Sequence, residues 1–267
     1  RLHGPWDIGR VAVCACADRW TGPLCDACIP GYQDRDGDGV CAPTCATANL
    51  VCGDSMVCAD ALGTAHCTHA WPSTCREAQE FSGRVADGPQ TLYFGRSQAK
   101  PWTAWCRGLN AATPTEYLTL PAGSAKNYST YMAYIFRKGT LTTYYSKVRI
   151  DPVTLLVDRG DTAFATSVGM IYDCCSYPPV ALVGSLPWAD AQGCVGTLSD
   201  DPATFGTANV DVSGTPFTVT STFCLWGAYP KGYTVPASGF TQSFMMYGKG
   251  GCGGLAPCTG GLQLAYP

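Results

Sequence analysis

A small disulfide-rich leader followed by one mostly-β domain that opens on a short helix is the fold class this sequence predicts. Three observations predict it. Of 17 cysteines in 267 residues, nine fall between Cys14 and Cys67, a density that oxidised extracellular modules use in place of a core and that reducing compartments do not sustain. The remaining eight are widely spaced, beyond residue 70, among aromatic and β-branched runs bounded by Gly and Pro, which is how strands read. Charged residues make up only 14%, against roughly 25% in an average soluble domain. The chain is therefore read as extracellular or cell-surface, and its odd cysteine count leaves at least one without an intrachain partner.

The same composition excludes several function classes. A net charge of −3 with no basic cluster makes nucleic acid and anionic membranes poor partners. No stretch reaches the roughly 18 apolar residues of a membrane span. The chain opens at Arg1 with neither Met nor an apolar signal region, the form expected of a processed or partial chain.

Taken in order, the elements begin after a composition change at Trp71-Pro72-Ser73. Thr74 and Glu77 fit a capping box, each side chain satisfying a free backbone N–H, which predicts a helix over 75–81. Thr91–Phe94, Trp102–Cys106 and Glu116–Leu120 are short β-favouring runs. Leu141–Ile150 alternates, placing Tyr144, Ser146, Val148 and Ile150 on one face and Thr143, Tyr145, Lys147 and Arg149 on the other, as one half-buried strand would. Val210–Val212 and Phe217–Val219, joined through Ser213-Gly214-Thr215-Pro216, predict a hairpin. Gly248–Gly254 is too glycine-rich to predict regular structure.

In the leader, Asp34-Arg35-Asp36-Gly37-Asp38-Gly39 sets carboxylates at alternate positions before a glycine, the opening of many calcium loops. Asp34, Asp36 and Asp38 are therefore candidate calcium ligands, although Cys45 stands where an EF-hand has its closing bidentate acid. The alternative is an acidic, solvated loop between Cys28 and Cys41. A zinc site from Cys14, Cys16, Cys25 and Cys28 with His66 and His69 conflicts with an oxidised cysteine set. Cys25-Asp-Ala-Cys28 lacks the βαβ surroundings of a redox pair. Asn127-Tyr128-Ser129 is a glycosylation sequon, with a plain surface turn as the alternative.

Catalysis finds little support. The histidines are His3, His66 and His69, all before the large domain, so that domain lacks the usual base for Ser or Cys nucleophiles. No HExxH or GxSxG occurs, and Gly248-Lys249-Gly250 lacks the spacing of a phosphate loop. Asp158/Asp161 and Asp200/Asp201 are carboxylate pairs of the type glycosidases use, or solvated turn acids beside Gly and Pro.

Several stretches resemble known families. Cys14-Ala-Cys16, Cys25-Asp-Ala-Cys28, Gly31-Tyr32 and Cys41 resemble the second half of a laminin-type EGF-like module. The resemblance implies Cys16–Cys25 and Cys28–Cys41, with Cys14 unpaired or bonded outside the chain. Cys45, Cys52, Cys58 and Cys67 resemble a compact EGF-like unit, implying Cys45–Cys58 and Cys52–Cys67. From Cys75 onward, "DGPQTLYFG" (87–95), "EYLTL" (116–120), "KNYS" (126–129), "SKVRID" (146–151), "FATS" (164–167), "DC" (173–174), "VDVSGTPFTVT" (210–220), "GGCGG" and "PC" occur in the order of the GON domain. That domain is a C-terminal module of some secreted ADAMTS-type zinc metalloproteases. The opening also resembles fibrinogen-like domains, implying Cys75–Cys106. Cys252–Cys258 is the expected closing pair, and bonds among Cys174, Cys175, Cys194 and Cys224 stay open.

The resulting expectation is an extended arm (1–13), a partial EGF-like module (14–44), a compact EGF-like module (45–70) and a GON-like β-rich domain (71–267). A secreted, non-enzymatic structural or interaction protein is expected, acting in adhesion or self-assembly with other extracellular proteins or copies of itself. In the latter case Val11-Ala12-Val13 would add as a strand to a neighbour, with Cys14 free to bond another chain. The alternatives are the targeting region of a larger secreted metalloprotease and a carbohydrate-binding module. Apart from calcium, no cofactor is expected.

Overall fold

The computed structural model describes residues 15–134, 137–173, 180–182, 184–195, 201–236, 242–258 and 261–267. The chain forms two compact units, one of residues up to Ala70 with Glu77–Arg84, the other of Trp71–Arg76 with Val85–Pro267. The first unit thus takes in Glu77–Arg84 from beyond residue 71. No helix among the described residues is long and apolar enough to cross a membrane.

The leader has too few apolar residues for a core, and short antiparallel ladders and bridges replace one. β1 (Trp20–Thr21) pairs with β2 (Ala27–Cys28), and β3 (Tyr32–Gln33) with β4 (Ala42–Pro43). After the single turn α1 (Cys45–Ala48), β5 (Met56–Ala59) pairs with β6 (His66–His69). Disulfides join Cys16 to Cys25, Cys28 to Cys41, Cys45 to Cys58 and Cys52 to Cys67. Cys58 and Cys67 face each other across β5 and β6, yet each bonds elsewhere, so the two bridges interlock. Asp60 ties the modules together: Oδ1 accepts from Arg35 Nη1 at 2.8 Å, Oδ2 from the Cys45 N–H at 2.9 Å, and its carbonyl from Gln33 Nε2 at 3.2 Å.

The large unit holds only the first two residues of α2 (Cys75–Ser82), of which Cys75 is bonded to Cys106. Its strands are β7 (Gly88–Tyr93), β8 (Pro101–Arg107), β9 (Thr115–Thr119), β10 (Tyr128–Ala133), β11 (Arg137–Tyr145), β12 (Lys147–Ile150), β13 (Leu156–Asp158) and β14 (Ala165–Asp173). β15 (Val180–Leu182), β16 (Ala191–Cys194), β17 (Gly206–Asp211), β18 (Thr218–Val219), β19 (Phe223–Pro236), β20 (Ser243–Pro257) and β21 (Leu262–Ala265) follow. One sheet runs β18-β21-β13-β12-β9-β8-β7, and the other β15-β14-β11-β10-β16-β20-β17 with β19 on β20. Leu92, Trp102, Leu118, Val148, Ile150, Val157 and Leu262 are buried from the first sheet; Leu141, Tyr145, Ile171, Val210, Phe244 and Met246 from the second.

Three sequence expectations give way here. Leu141–Ile150 is two strands in two sheets, β11 and β12, broken at Ser146. Leu141, Thr143 and Tyr145 are buried before the break, Val148 and Ile150 after it. A strand that changes sheets resets which phase faces the core, so one alternation could not describe both halves. The expected hairpin is likewise a crossing, since β17 pairs with β20 while β18 pairs with β21 in the other sheet. Gly248–Gly254 lies inside β20, the longest strand among the described residues. β16 and β17 both run antiparallel to β20, yet β10 takes β16 parallel and β17 antiparallel. A flat sheet cannot satisfy all four pairings, so the sheet coils here. The glycines let backbones close in: a Cβ on Gly248 or Gly254 would strike the Ala191 carbonyl of β16.

Candidate functional site

The outward chemistry of the large unit collects on the solvent side of the seven-stranded sheet. β8 alternates, with Trp102, Ala104 and Cys106 buried and Thr103, Trp105 and Arg107 on the other side. Cross-strand partners share a face, and the register gives one row over five strands: Pro89 opposite Trp105, Trp105 opposite Tyr117, Tyr117 opposite Arg149, and Arg149 opposite Asp158. Lys147 and Arg107 stand two residues from Arg149 and Trp105 on their strands, hence on the same face.

Phe164 lies over this row, edge-on to Tyr117 at 4.8 Å and to Trp105 at 6.4 Å between ring centroids. Lys147 Nζ sits 4.4 Å from the Trp105 ring and 4.6 Å from the Phe164 ring, with the Arg107 guanidinium 5.9 Å from Phe164. Such contacts contribute about 0.5–1 kcal/mol when exposed, and they hold long cationic side chains in place before any partner arrives. A cleft of about 580 Å³ opens beside Trp105 and Lys147, walled by Pro89, Pro101, Pro121 and Pro216. A second, of about 710 Å³, opens beside Arg149 and Asp158 and carries Arg76, Glu116 and Asp151.

The acids of this region are already engaged. Arg149 Nη1 lies 3.9 Å from both Asp158 Oδ2 and Asp161 Oδ2, and Tyr117 donates to Asp161 Oδ2 at 2.9 Å. Asp158/Asp161 is thus a pair shared by one guanidinium. Burial pushes the Tyr117 hydroxyl up, and the Asp161 carboxylate it meets pushes the same way. Glu116 Oε1 accepts from the Cys75 N–H at 2.7 Å, capping the start of α2; burial raises its carboxyl although that N–H pulls it down. The Thr154 N–H, with that of Val153, holds the Asp151 carboxyl below its usual range. Asp200 lies outside the described residues, and Asp201 Oδ1 accepts from the Ala203 N–H at 2.9 Å.

A buried group that the sequence did not single out is Asp190, 5% exposed. Its Oδ2 accepts from Gln192 Nε2 at 2.9 Å, and the Trp226 side chain also interacts with the carboxylate. Burial raises its carboxyl above the ordinary range, with Gln192 and then Arg159 opposing. Below the unfolded pKa, roughly 3.9, the acid is protonated in both states and costs nothing. As pH climbs through the raised native value, only the folded state bears a buried charge, so its contribution to stability falls. The Asp190→Asn variant is therefore expected to gain on wild type between pH 4 and pH 7, measured by urea unfolding; a pH-independent difference would contradict this.

Of the sequence-derived positions, Asp34, Asp36 and Asp38 do come together, their ligand atoms all within 4.8 Å of one another. Asp34 Oδ1 accepts from the Gly39 N–H at 3.3 Å and Asp38 Oδ1 from the Val40 N–H at 2.8 Å. Cys16, Cys25 and Cys28 are in disulfides, which removes the thiolates a zinc site needs.

Two positions are corrected. Cys252 and Cys258 do not bond each other: Cys252 joins Cys194, and Cys258 joins Cys224. Six residues along an extended chain span roughly 20 Å, whereas a disulfide needs Cα atoms within about 7 Å. Asn127 is fully buried. Its Nδ2, the atom a glycan would take, donates to the Gly123 carbonyl at 3.2 Å and the Asp211 carbonyl at 3.0 Å, while Oδ1 accepts from the Asp211 N–H at 2.9 Å. Cys14, Cys174, Cys175 and the arm Val11-Ala12-Val13 lie outside the described residues.

Trp105, Phe164, Tyr117 and Arg107 went unread as a site. The available signals were an aromatic at the outward phase of β8 and the grouping of Lys147 with Arg149; strand order, which sequence does not supply, joins them. A family model for the GON domain matches residues 72–140, supporting that resemblance over the stretch that carries Trp105, Arg107 and Tyr117. No curated protein matches the chain, and no solved structure does.

Proposed function

We propose that this disulfide-rich extracellular chain is a non-enzymatic contact protein, its large unit binding other extracellular molecules or copies of itself. The observation that supports this reading is the cluster of Trp105, Phe164, Lys147 and Arg149 on the solvent side of the sheet, gathered around Tyr117, which is itself buried. Aromatic and Arg side chains held at a surface are what contact faces are rich in. The test is retention of the purified protein on extracellular matrix and cell-surface preparations. Retention without cleavage of the peptides or polysaccharides present is expected; turnover of either polymer would overturn the reading.

A second reading is favoured by the GON stretch: the chain serves as the targeting region of a larger secreted metalloprotease. Sequencing the full transcript decides it, since an HExxH upstream would assign the catalysis there and the contact role here. A carbohydrate-binding module is the narrower form of the first reading, supported by Trp105 beside Lys147, and a glycan array tests it.

Calcium belongs to the same proposal. Asp34, Asp36 and Asp38 offer three carboxylates without a closing bidentate acid, which suggests a dissociation constant on the order of 10⁻⁴ to 10⁻³ M. Millimolar calcium is expected to raise the melting temperature of the leader in wild type and not in Asp36→Asn. An unchanged wild-type melting curve would remove calcium from the account.

A further inference from the structure

We propose that β19 is a self-association edge, on which a second copy of this chain adds its own β19 antiparallel about a two-fold axis at Tyr229. This rests on, and deepens, the self-association named above. β19 pairs with β20 along one side and with nothing on the other among the described residues. Proteins protect such edges with charges, covering loops or short length, because unpaired N–H and C=O groups template a further strand. This edge is 14 residues long and shows Leu225 (45%), Trp226 (39%), Tyr229 (76%), Tyr233 (45%) and Val235 (46%) to solvent.

The protection present is Pro230 and Lys231 near the middle of the strand, left-handed backbone at Gly227 and Tyr229, and register shifts between Trp226 and Ala228 and between Ala228 and Lys231. They divide the edge into two regular stretches, Phe223–Trp226 and Lys231–Val235, on either side of Tyr229. The division makes the strand complementary to itself. A two-fold axis through Tyr229 sets Phe223 against Val235, Leu225 against Tyr233 and Trp226 against Gly232 of the second copy. Large apolar groups meet apolar groups or a glycine, and Lys231 falls opposite Gly227, so the two lysines are not opposed. A shallow recess of about 390 Å³ lined by Phe205, Leu225, Pro230 and Tyr233 lies along the strand, giving the incoming strand a side-chain pocket beside its main-chain ladder. Such an interface is isologous and closes as a dimer.

The test is sedimentation equilibrium of the intact oxidised protein. Wild type is expected to dimerise with a dissociation constant below about 100 μM. Tyr229→Lys, which sets two like charges on the axis, and separately Leu225→Lys, which opposes a charge to Tyr233, should each weaken dimerisation at least about tenfold. Val168→Lys, on an exposed position of β14, should leave it unchanged. All three sites are exposed, so the variants should keep the wild-type melting transition. A wild type that stays monomeric overturns both the edge and self-association. A wild type that associates equally with Tyr229→Lys and Leu225→Lys overturns the edge alone.

Discussion

Gly254→Ala is expected to cost the large unit about 4 kcal/mol or more, enough to prevent folding at 37 °C in a domain of ordinary stability. Most glycine-to-alanine changes in a strand are mild or favourable, because the added methyl restricts the unfolded chain. Here the methyl has no room. It would meet the Ala191 carbonyl and lie 3.0 Å from the Gln192 Cα, both backbone atoms of β16, and β16 cannot yield without breaking its ladders to β10 and β20. Gly251→Ala is the control. Its methyl would come no closer than 3.3 Å to the Ala228 Cβ and carbonyl oxygen, a contact that small shifts relieve, so a loss under about 1 kcal/mol is expected. Thermal unfolding of the pair checks the account; equal losses would mean that glycine, and not close approach, matters in β20.

Asn127→Ala is expected to cost about 3–5 kcal/mol. The side chain sits at the entry to β10 and ties it to the end of β17 by bonding both the N–H and the C=O of Asp211, while also bonding the Gly123 carbonyl. Removal leaves three part-buried backbone groups without this partner, each costing about 1–3 kcal/mol if left unpaired; partial relaxation and access to water keep the total below the simple sum. Asn127→Asp keeps one acceptor, loses both donors and buries a charge, so it should be at least as harmful. Urea unfolding measures the cost. Intact mass after expression in a glycosylating host should show Asn127 bare, and a glycan there would contradict its burial.

These two sites also show where sequence runs out. In the leader the bonds formed are those the EGF-like resemblances imply, closing loops of nine to fifteen residues, whereas spacing alone leaves several pairings open. The strands β7, β8 and β9 were legible, being short runs bounded by Gly and Pro. Cys252 was not, because its partner Cys194 is 58 residues away and reaches it only through β16 and β20. Gly248–Gly254 read as irregular because the reason for its glycines is a neighbouring backbone, not anything in the segment. Asn127 read as a sequon because a three-residue pattern carries no information about burial. The contact face divides the same way. Trp102–Cys106 was legible as a strand, but that Trp105 and Arg107 lie beside Lys147 and Phe164 follows from β12 pairing with β9, a register no local pattern states.

Chemistry follows from this division of labour. The described acids of the large unit that drew notice in the sequence are taken up by Arg149, by Tyr117 or by backbone N–H groups. The side chains left facing outward are rings and cations that already hold one another in position. A face organised before binding loses less side-chain entropy when a partner arrives.

The most direct test of that account compares equilibrium binding of wild type and a Trp105→Ala/Lys147→Glu double variant to one extracellular preparation that retains the protein, with Val168→Lys as control. Both substituted sites are partly exposed, and near-ultraviolet circular dichroism verifies the fold. The account predicts binding at least about tenfold weaker for the double variant, a loss of roughly 1.4 kcal/mol or more, with the control unchanged. Equal binding by wild type and the double variant would contradict it.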